Sequence, residues 1–241
     1  MARLVLLRHG ESAWNLEDRF TGWTDVDLSQ RGIVEAQQAG MLLKADGFHF
    51  DVCYTSLLKR AIRTLWLVLE AMDAMWVPVH KTWHLNERHY GTLQGRNKAE
   101  VAQELGEDRV FALRRSVHLR PPPLDLDDPR HPGHDLRYAH VASTLLPAAE
   151  SLQDTAGRVL SHWHKVIEPE LRNGKCVLVS AHGNSLRALV QYLDRISDAE
   201  MPRLEIPTGV PLIYDLGEDL RPILEYYDLA AGKPPPILRP E

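Results

Sequence analysis

Apolar positions along the chain come in two patterns, short unbroken runs and stripes at helical spacing. Leu4-Val5-Leu6-Leu7, the stretch from Asp51 to Thr55, and Cys176 to Ala181 are runs bounded by turn or polar residues. That is how parallel strands covered on both faces read in sequence. Between them lie helical stripes. Ser29 caps one, with Ile33, Ala36, Gly40 and Leu43 on its face and an end near Gly47; Ser56 is the expected N-cap of another, bearing Leu58, Ile62, Leu65, Leu69 and Met72. Ser151 opens a helix reaching about Leu171, and Leu186, Leu189, Val190 and Leu193 mark one after the third run. Alternating runs and stripes predict an α/β fold, a mostly parallel sheet with helices on both faces. Smaller pieces complete the reading: an apolar segment at Val77 to Val79, short helices over Asn97 to Leu105 and Glu107 to Val117, and late edge strands at Pro211 to Asp215 and Ile223 to Tyr227.

From Arg120 to Pro147 the pattern gives way to Pro, Asp and His, with Pro121-Pro122-Pro123 and His131-Pro132-Gly133-His134. Prolines remove backbone donors and fix φ, so this stretch predicts a surface excursion within an insertion at about 107–150. His131 and His134 have no other ligands nearby in the turn, which predicts solvated histidines and no metal site. One domain over 1–228 and an extended Pro-rich tail over 229–241, containing Lys233-Pro234-Pro235-Pro236, follow.

Composition narrows the function. With 241 residues and 44% hydrophobic content the chain can bury a full core, and a formal net charge of −5 gives no global basic field for nucleic acid. Any anion-binding surface has to be a local pocket. Cys53 and Cys176 sit inside apolar runs, as expected of core thiols in a reducing compartment. No run approaches the ~18 apolar residues of a membrane span, so a cytoplasmic protein without membrane contact is the expectation.

Candidate chemistry gathers where runs meet stripes. The first run ends in Arg8-His9-Gly10, the third in His182-Gly183-Asn184, and Arg60 lies just past the second. Strands of an open parallel sheet present their carboxyl ends on one side, where ligands bind. Two imidazoles, Arg8, Arg60, two glycine amides and a helix N-terminus form an anion trap there, for a phosphate or a carboxylate. One imidazole is a candidate nucleophile toward phosphorus, and the other is placed to stabilise the transferring oxygens. Lys59 and Arg63 read equally well as a solvated basic edge. Leu85 to Gly95, with Glu87 between breakers and beside Arg88 and His89, reads as a functional loop in which Glu87 is a general acid or base or an ion-pair partner. The residue types leave transferase and hydrolase both open.

The joint order and spacing of several motifs resolve this by resemblance. Arg8 to Asn15, Phe20-Thr21-Gly22-Trp23, Thr55 to Thr64, Leu85 to Gly95, Pro121 to Asp125 and His182 to Arg187 closely resemble the cofactor-dependent phosphoglycerate mutases of the histidine phosphatase superfamily. The similarity runs from Arg3 to about Tyr226. It implies His9 as phosphorylated nucleophile, Glu87 as general acid and base, and His182, Arg8 and Arg60 as stabilisers of the phosphoryl group. It further implies Ser12, Asn15, Thr21, Gly22, Arg88, Tyr90, Lys98, Arg114, Arg115, Gly183 and Asn184 as substrate-binding. The implied reaction interconverts 3-phosphoglycerate and 2-phosphoglycerate with 2,3-bisphosphoglycerate as phosphoryl primer, without metal, in a homodimer or homotetramer. Nearby activities of the superfamily are phosphatases of small phosphate esters and bisphosphoglycerate synthases; glycine at the Ser12 position is the tendency among the synthases. Arg96, Val117-His118 and the Pro-rich end depart from the mutase pattern.

Overall fold

A computed structural model describes residues 2–223 and 227–228. In chain order the elements are β1 (Ala2–Arg8), α1 (Ala13–Leu16), α2 (Gln30–Ala45), β2 (Val52–Thr55), α3 (Lys59–Met72) and β3 (Val79–Lys81). There follow α4 (Lys98–Leu105), α5 (Glu107–Arg115) and α6 (Leu152–His162), which runs through a π-turn at Trp163–Ile167 into α7 (Glu168–Arg172). Then come β4 (Cys176–Ala181), α8 (Gly183–Asp194), β5 (Pro211–Leu216) and β6 (Tyr227–Asp228).

The sheet order is β3-β2-β4-β1-β5-β6, with β3, β2, β4 and β1 parallel and β5 antiparallel to β1. Successive residues of a strand face opposite sides, and the unbroken run in β1 uses both. Leu4 and Leu6 join the core under α6 and α8, whereas Val5 and Leu7 join the core under α2 and α3. Each such fully buried side chain contributes roughly 1.5–3 kcal/mol of transfer free energy. A smaller cluster of Phe20, Leu93, Val101, Val110 and Leu113 packs α4 and α5 over the early loop.

Several expectations are corrected. Ser56 is not an N-cap; Leu58 holds that position without a side-chain cap, and Lys59 N–H donates instead to Asp25 Oδ1 at 2.7 Å. Pro211 to Leu216 is interior to the sheet, because β6 covers its outer side. The expected Ile223 to Tyr227 strand lies mostly outside the described residues, whose strand is Tyr227–Asp228, and the 229–241 tail lies wholly outside them. The Pro-rich excursion forms three 3₁₀ turns and is not all surface: His131 is buried, its ring accepting from Gly133 N–H at 3.1 Å, and Tyr138 is buried against Trp23. A backbone without donors cannot join a ladder, yet its side chains still cover apolar surface. His134 is exposed, as expected.

Candidate active site

Register brings the two histidines level. In the β1–β4 ladder Arg8 pairs with Ala181, so His9 and His182 each follow a paired residue, and His9 N–H extends the ladder to Ala181 O at 3.0 Å. Their ring centroids stand 5.0 Å apart at 62°. Gly10 lets the chain turn away at once: a Cβ there would lie 2.2 Å from Gly32 O, where two backbones touch. His9 Nδ1 sits 2.7 Å from Gly10 O, a carbonyl that only accepts, so Nδ1 carries the proton and Nε2 keeps its lone pair. Burial, then Arg60 and Arg8, hold the His9 pKa well below 6.5. The result is a neutral imidazole with a free-base Nε2 toward Arg60, whose Nε–H lies 3.3 Å away.

Arg60 is aimed inward because α3 turns that position toward the strand tips, where it is buried at 1% exposure. Its other nitrogens donate to Thr24 O at 2.9 Å and Gly22 O at 2.8 Å. Gly22 takes φ +54°, and a Cβ there would meet Gln94 Oε1 at 2.1 Å, so the Thr21-Gly22 turn is fixed against the 85–95 loop. Lys59 is exposed and Arg63 pairs with Asp27 at 2.8 Å, outside the site. Charge counting could not separate these three; the helix face does.

His182 is fully buried at the start of α8, its Nε2 2.7 Å from Ser56 Oγ. That hydroxyl also accepts Leu58 N–H at 3.1 Å, so Ser56 ties the His182 ring to the start of α3. Burial, then Arg60 and His9, also lower the His182 pKa.

Glu87 is held by one oxygen. Oε1 accepts from Arg88 N at 2.8 Å, Asn184 N at 3.1 Å and Asn184 Nδ2 at 2.9 Å. Oε2 stays toward Arg8 and Gly183: a Cβ on Gly183 would lie 3.6 Å from Arg8 Nε and 3.7 Å from Glu87 Oε2. The Glu87 carbonyl accepts from Trp23 Nε1 at 2.6 Å and Arg158 Nη2 at 2.9 Å. Arg158, buried in an ion pair with Glu150 at 2.7 Å, also donates to His84 O and Asn86 O.

These elements enclose a cavity of about 350 Å³. Of the residues singled out in sequence, Arg8, Asn15, Thr21, Gly22, Glu87, Tyr90, Lys98, Arg114, Arg115, Gly183 and Asn184 line it. His9, Arg60 and His182 are buried and do not themselves line it, while Arg8, Gly22 and Gly183, next to them in the chain or hydrogen-bonded to them, do. Arg8 Nε has no hydrogen-bond partner among the described residues, and burial lowers its pKa against the opposing pull of Glu87. For Tyr90, burial raises the hydroxyl, but Arg88 and its hydrogen bond outweigh that and bring it below its usual value.

Two expected substrate contacts stand elsewhere. Ser12 is fully buried and caps α1, its N–H and Oγ donating to Asn15 Oδ1 at 3.0 and 2.9 Å, which leaves the Asn15 amide for the cavity. Arg88 is fully buried and does not line the cavity; its Nη2 donates to Leu113 O and Arg114 O at 2.9 Å, seating the end of α5. Conversely, Arg19, Arg187 and Glu205 line the cavity without having been picked out in sequence. Arg187 donates to Asn184 Oδ1 at 3.1 Å, fixing the amide so that Nδ2 faces Glu87. Its position one helical turn past Gly183 was the available signal; Arg158 and Glu205 had none.

Among the described residues no cluster of three or more His, Cys, Asp or Glu is placed to hold a metal ion, and no helix is long and apolar enough to cross a membrane. The fold is a mostly parallel α/β sheet that presents two paired histidines at its strand tips. The sequence profile of the histidine phosphatase superfamily (branch 1) matches residues 4–228, and the chain belongs to that family. Solved structures of similar fold include a mycobacterial glucosyl-3-phosphoglycerate phosphatase complexed with VO3, 24% identical with a TM-score of 0.69, covering 92% of this chain and 96% of that one. Another is the α-ribazole phosphatase from Shigella flexneri, 24% identical with a TM-score of 0.68, covering 94% and 96%.

Proposed function

We propose that this protein transfers a phosphoryl group through His9 on a small phosphate ester carrying a second anionic group, and that it acts as a phosphoglycerate mutase. His9 Nε2 attacks phosphorus as the P–O bond to the leaving oxygen breaks, and Glu87 supplies that oxygen's proton; the reverse step returns the phosphoryl to a hydroxyl while Glu87 takes its proton. Before attack, phosphate oxygens take over the Arg60 donor that now covers Nε2. Arg8, Arg60 and the His182 imidazole hold the charge developing on the equatorial oxygens.

The observation that carries the mutase reading is the second cationic pole, Lys98, Arg114 and Arg115, facing the same cavity as Arg8 and Glu87. A substrate tethered at that pole can turn and present either oxygen to phospho-His9. The two poles and the unpartnered Arg8 Nε fit a doubly phosphorylated primer. Bound between them, 2,3-bisphosphoglycerate would supply the phosphoryl group that loads His9. In the second reading water is the acceptor and the protein is a phosphatase of small phosphate esters. The phosphatase names of the fold relatives support that reading. A coupled assay with 3-phosphoglycerate, with and without trace 2,3-bisphosphoglycerate, alongside phosphate release, separates the two. Bisphosphate-dependent formation of 2-phosphoglycerate is expected; phosphate release outrunning isomerisation overturns the mutase in favour of the phosphatase.

A further inference from the structure

The cationic cavity contains a carboxylate that the proposed chemistry does not use. Six basic side chains line it, Arg8, Arg19, Lys98, Arg114, Arg115 and Arg187, and Glu205 stands among them with Oε1 2.6 Å from Arg115 Nη2. Its neighbours Leu204 and Ile206 are buried at 1% and 3% exposure, so the extended segment has to turn Glu205 the other way, into the opening. The same segment is tied to the anion-binding arginines on both sides. Arg115 Nη1 donates to Leu204 O at 3.4 Å and Arg8 Nη1 to Ile206 O at 2.7 Å. The backbone is thus fixed while the Glu205 side chain, 75% exposed, is free to swing. Exposed ion pairs of this kind are weak, so an incoming anion replaces one readily.

We propose that Glu205 is a built-in counter-ion that exchanges with the substrate's distal anionic group at Arg115 and so limits how tightly the site holds multiply charged phosphates. Without a ligand it keeps Arg115 oriented and partly neutralised. When a ligand arrives, its anionic group takes the guanidinium, and the displaced carboxylate stays at the rim, repelling further negative charge. A doubly phosphorylated molecule is penalised more than a single phosphate, which keeps such a molecule exchangeable. This rests on the reading of the cavity as a site for a small phosphate ester with a second anionic group.

The test measures binding of methylenediphosphonate and of inorganic phosphate by titration calorimetry to the full chain, Glu205→Gln, Arg115→Gln and the double variant. Removing one rim charge within about 5 Å of the ligand is expected to tighten the diphosphonate roughly tenfold, inorganic phosphate less, and to lose the gain in the Arg115→Gln background. Unchanged diphosphonate affinity, equal tightening of both ligands, or the same gain without Arg115 overturns the exchange. The coupled assay on wild-type protein reads the functional proposal separately. Tightening without phosphoglycerate turnover defeats only the mutase, and turnover without tightening defeats only the counter-ion.

Discussion

At the scale of single residues, the site depends on keeping His9 neutral with its proton on the far nitrogen. The Gly10 carbonyl sets the tautomer, while burial and two guanidinium groups lower the pKa. An imidazole in water loses nucleophilicity as pH falls through about 6.5. His9 is expected to keep its nucleophile well below that, so the rate of phosphoenzyme formation in rapid-quench experiments should stay level through pH 6.5. A decline centred there would show a solvated histidine instead. Neighbouring residues act in pairs: Asn184 pins Glu87, and Arg187 pins Asn184. Because both links are short and buried, the carboxylate that moves protons has one orientation.

At the scale of elements, three strand-to-helix junctions were legible because each leaves a local signature. An apolar run followed by His-Gly predicts a buried strand and a turn, and β1 and β4 form where that signature stands. Arg60 became distinguishable from Lys59 and Arg63 only when the face of α3 was known, since a one-residue shift on a helix turns a side chain by ~100°. What sequence could not show is support that arrives from far along the chain. Arg158 on α6 is 71 residues from the Glu87 carbonyl it binds, and no periodicity marks it. The excursion over residues 120–147 was half legible: its prolines exclude strands, but nothing local shows that the Tyr138 ring packs, tilted by 41°, against Trp23 at 4.8 Å. The Arg158–Glu150 pair gives this scale its prediction. Arg158→Met leaves the buried Glu150 carboxylate with the His89 N–H but no cation, takes a donor from His84 O and Asn86 O, and should destabilise the fold by roughly 3–5 kcal/mol in urea unfolding. Adding Glu150→Gln should recover part of that; a loss below about 1 kcal/mol for the single variant would mean the pair is effectively solvated.

At the scale of the whole molecule, four parallel strands bring their carboxyl ends to one side, and insertions from loops and from α4 and α5 wall the cavity there. The arrangement concentrates positive charge in a chain whose formal net charge is −5, so recognition of anions is local. It also buries histidines in their neutral form. Burial, then His131, brings His89 down to about 3, and burial, then His84, brings His162 down to about 4. Unfolded chains take up protons at histidine below about pH 6.5, where the folded protein does not. Stability contributed by these groups is therefore present above 6.5 and lost as pH falls from there toward 4, by up to ~1.4 kcal/mol per pH unit for the buried His89 and less for the half-buried His162. At Asp154 burial pulls the carboxyl up, but the Arg120 and Ser151 hydrogen bonds together outweigh it and bring it to about 2, which adds a further loss below about 4. Thermal unfolding followed from pH 7.5 to 4.5 should show a steadily falling midpoint; a flat profile would mean that these imidazoles are protonated in the fold.

All three scales meet in the claim that His9 carries the phosphoryl group. The most direct test incubates the protein with 2,3-bisphosphoglycerate, quenches at alkaline pH, and maps the adduct by peptide mass spectrometry. A single acid-labile, base-stable phosphoryl group on His9, absent in His9→Ala, is predicted. An adduct on another residue, or none while phosphoryl transfer proceeds, would contradict the account.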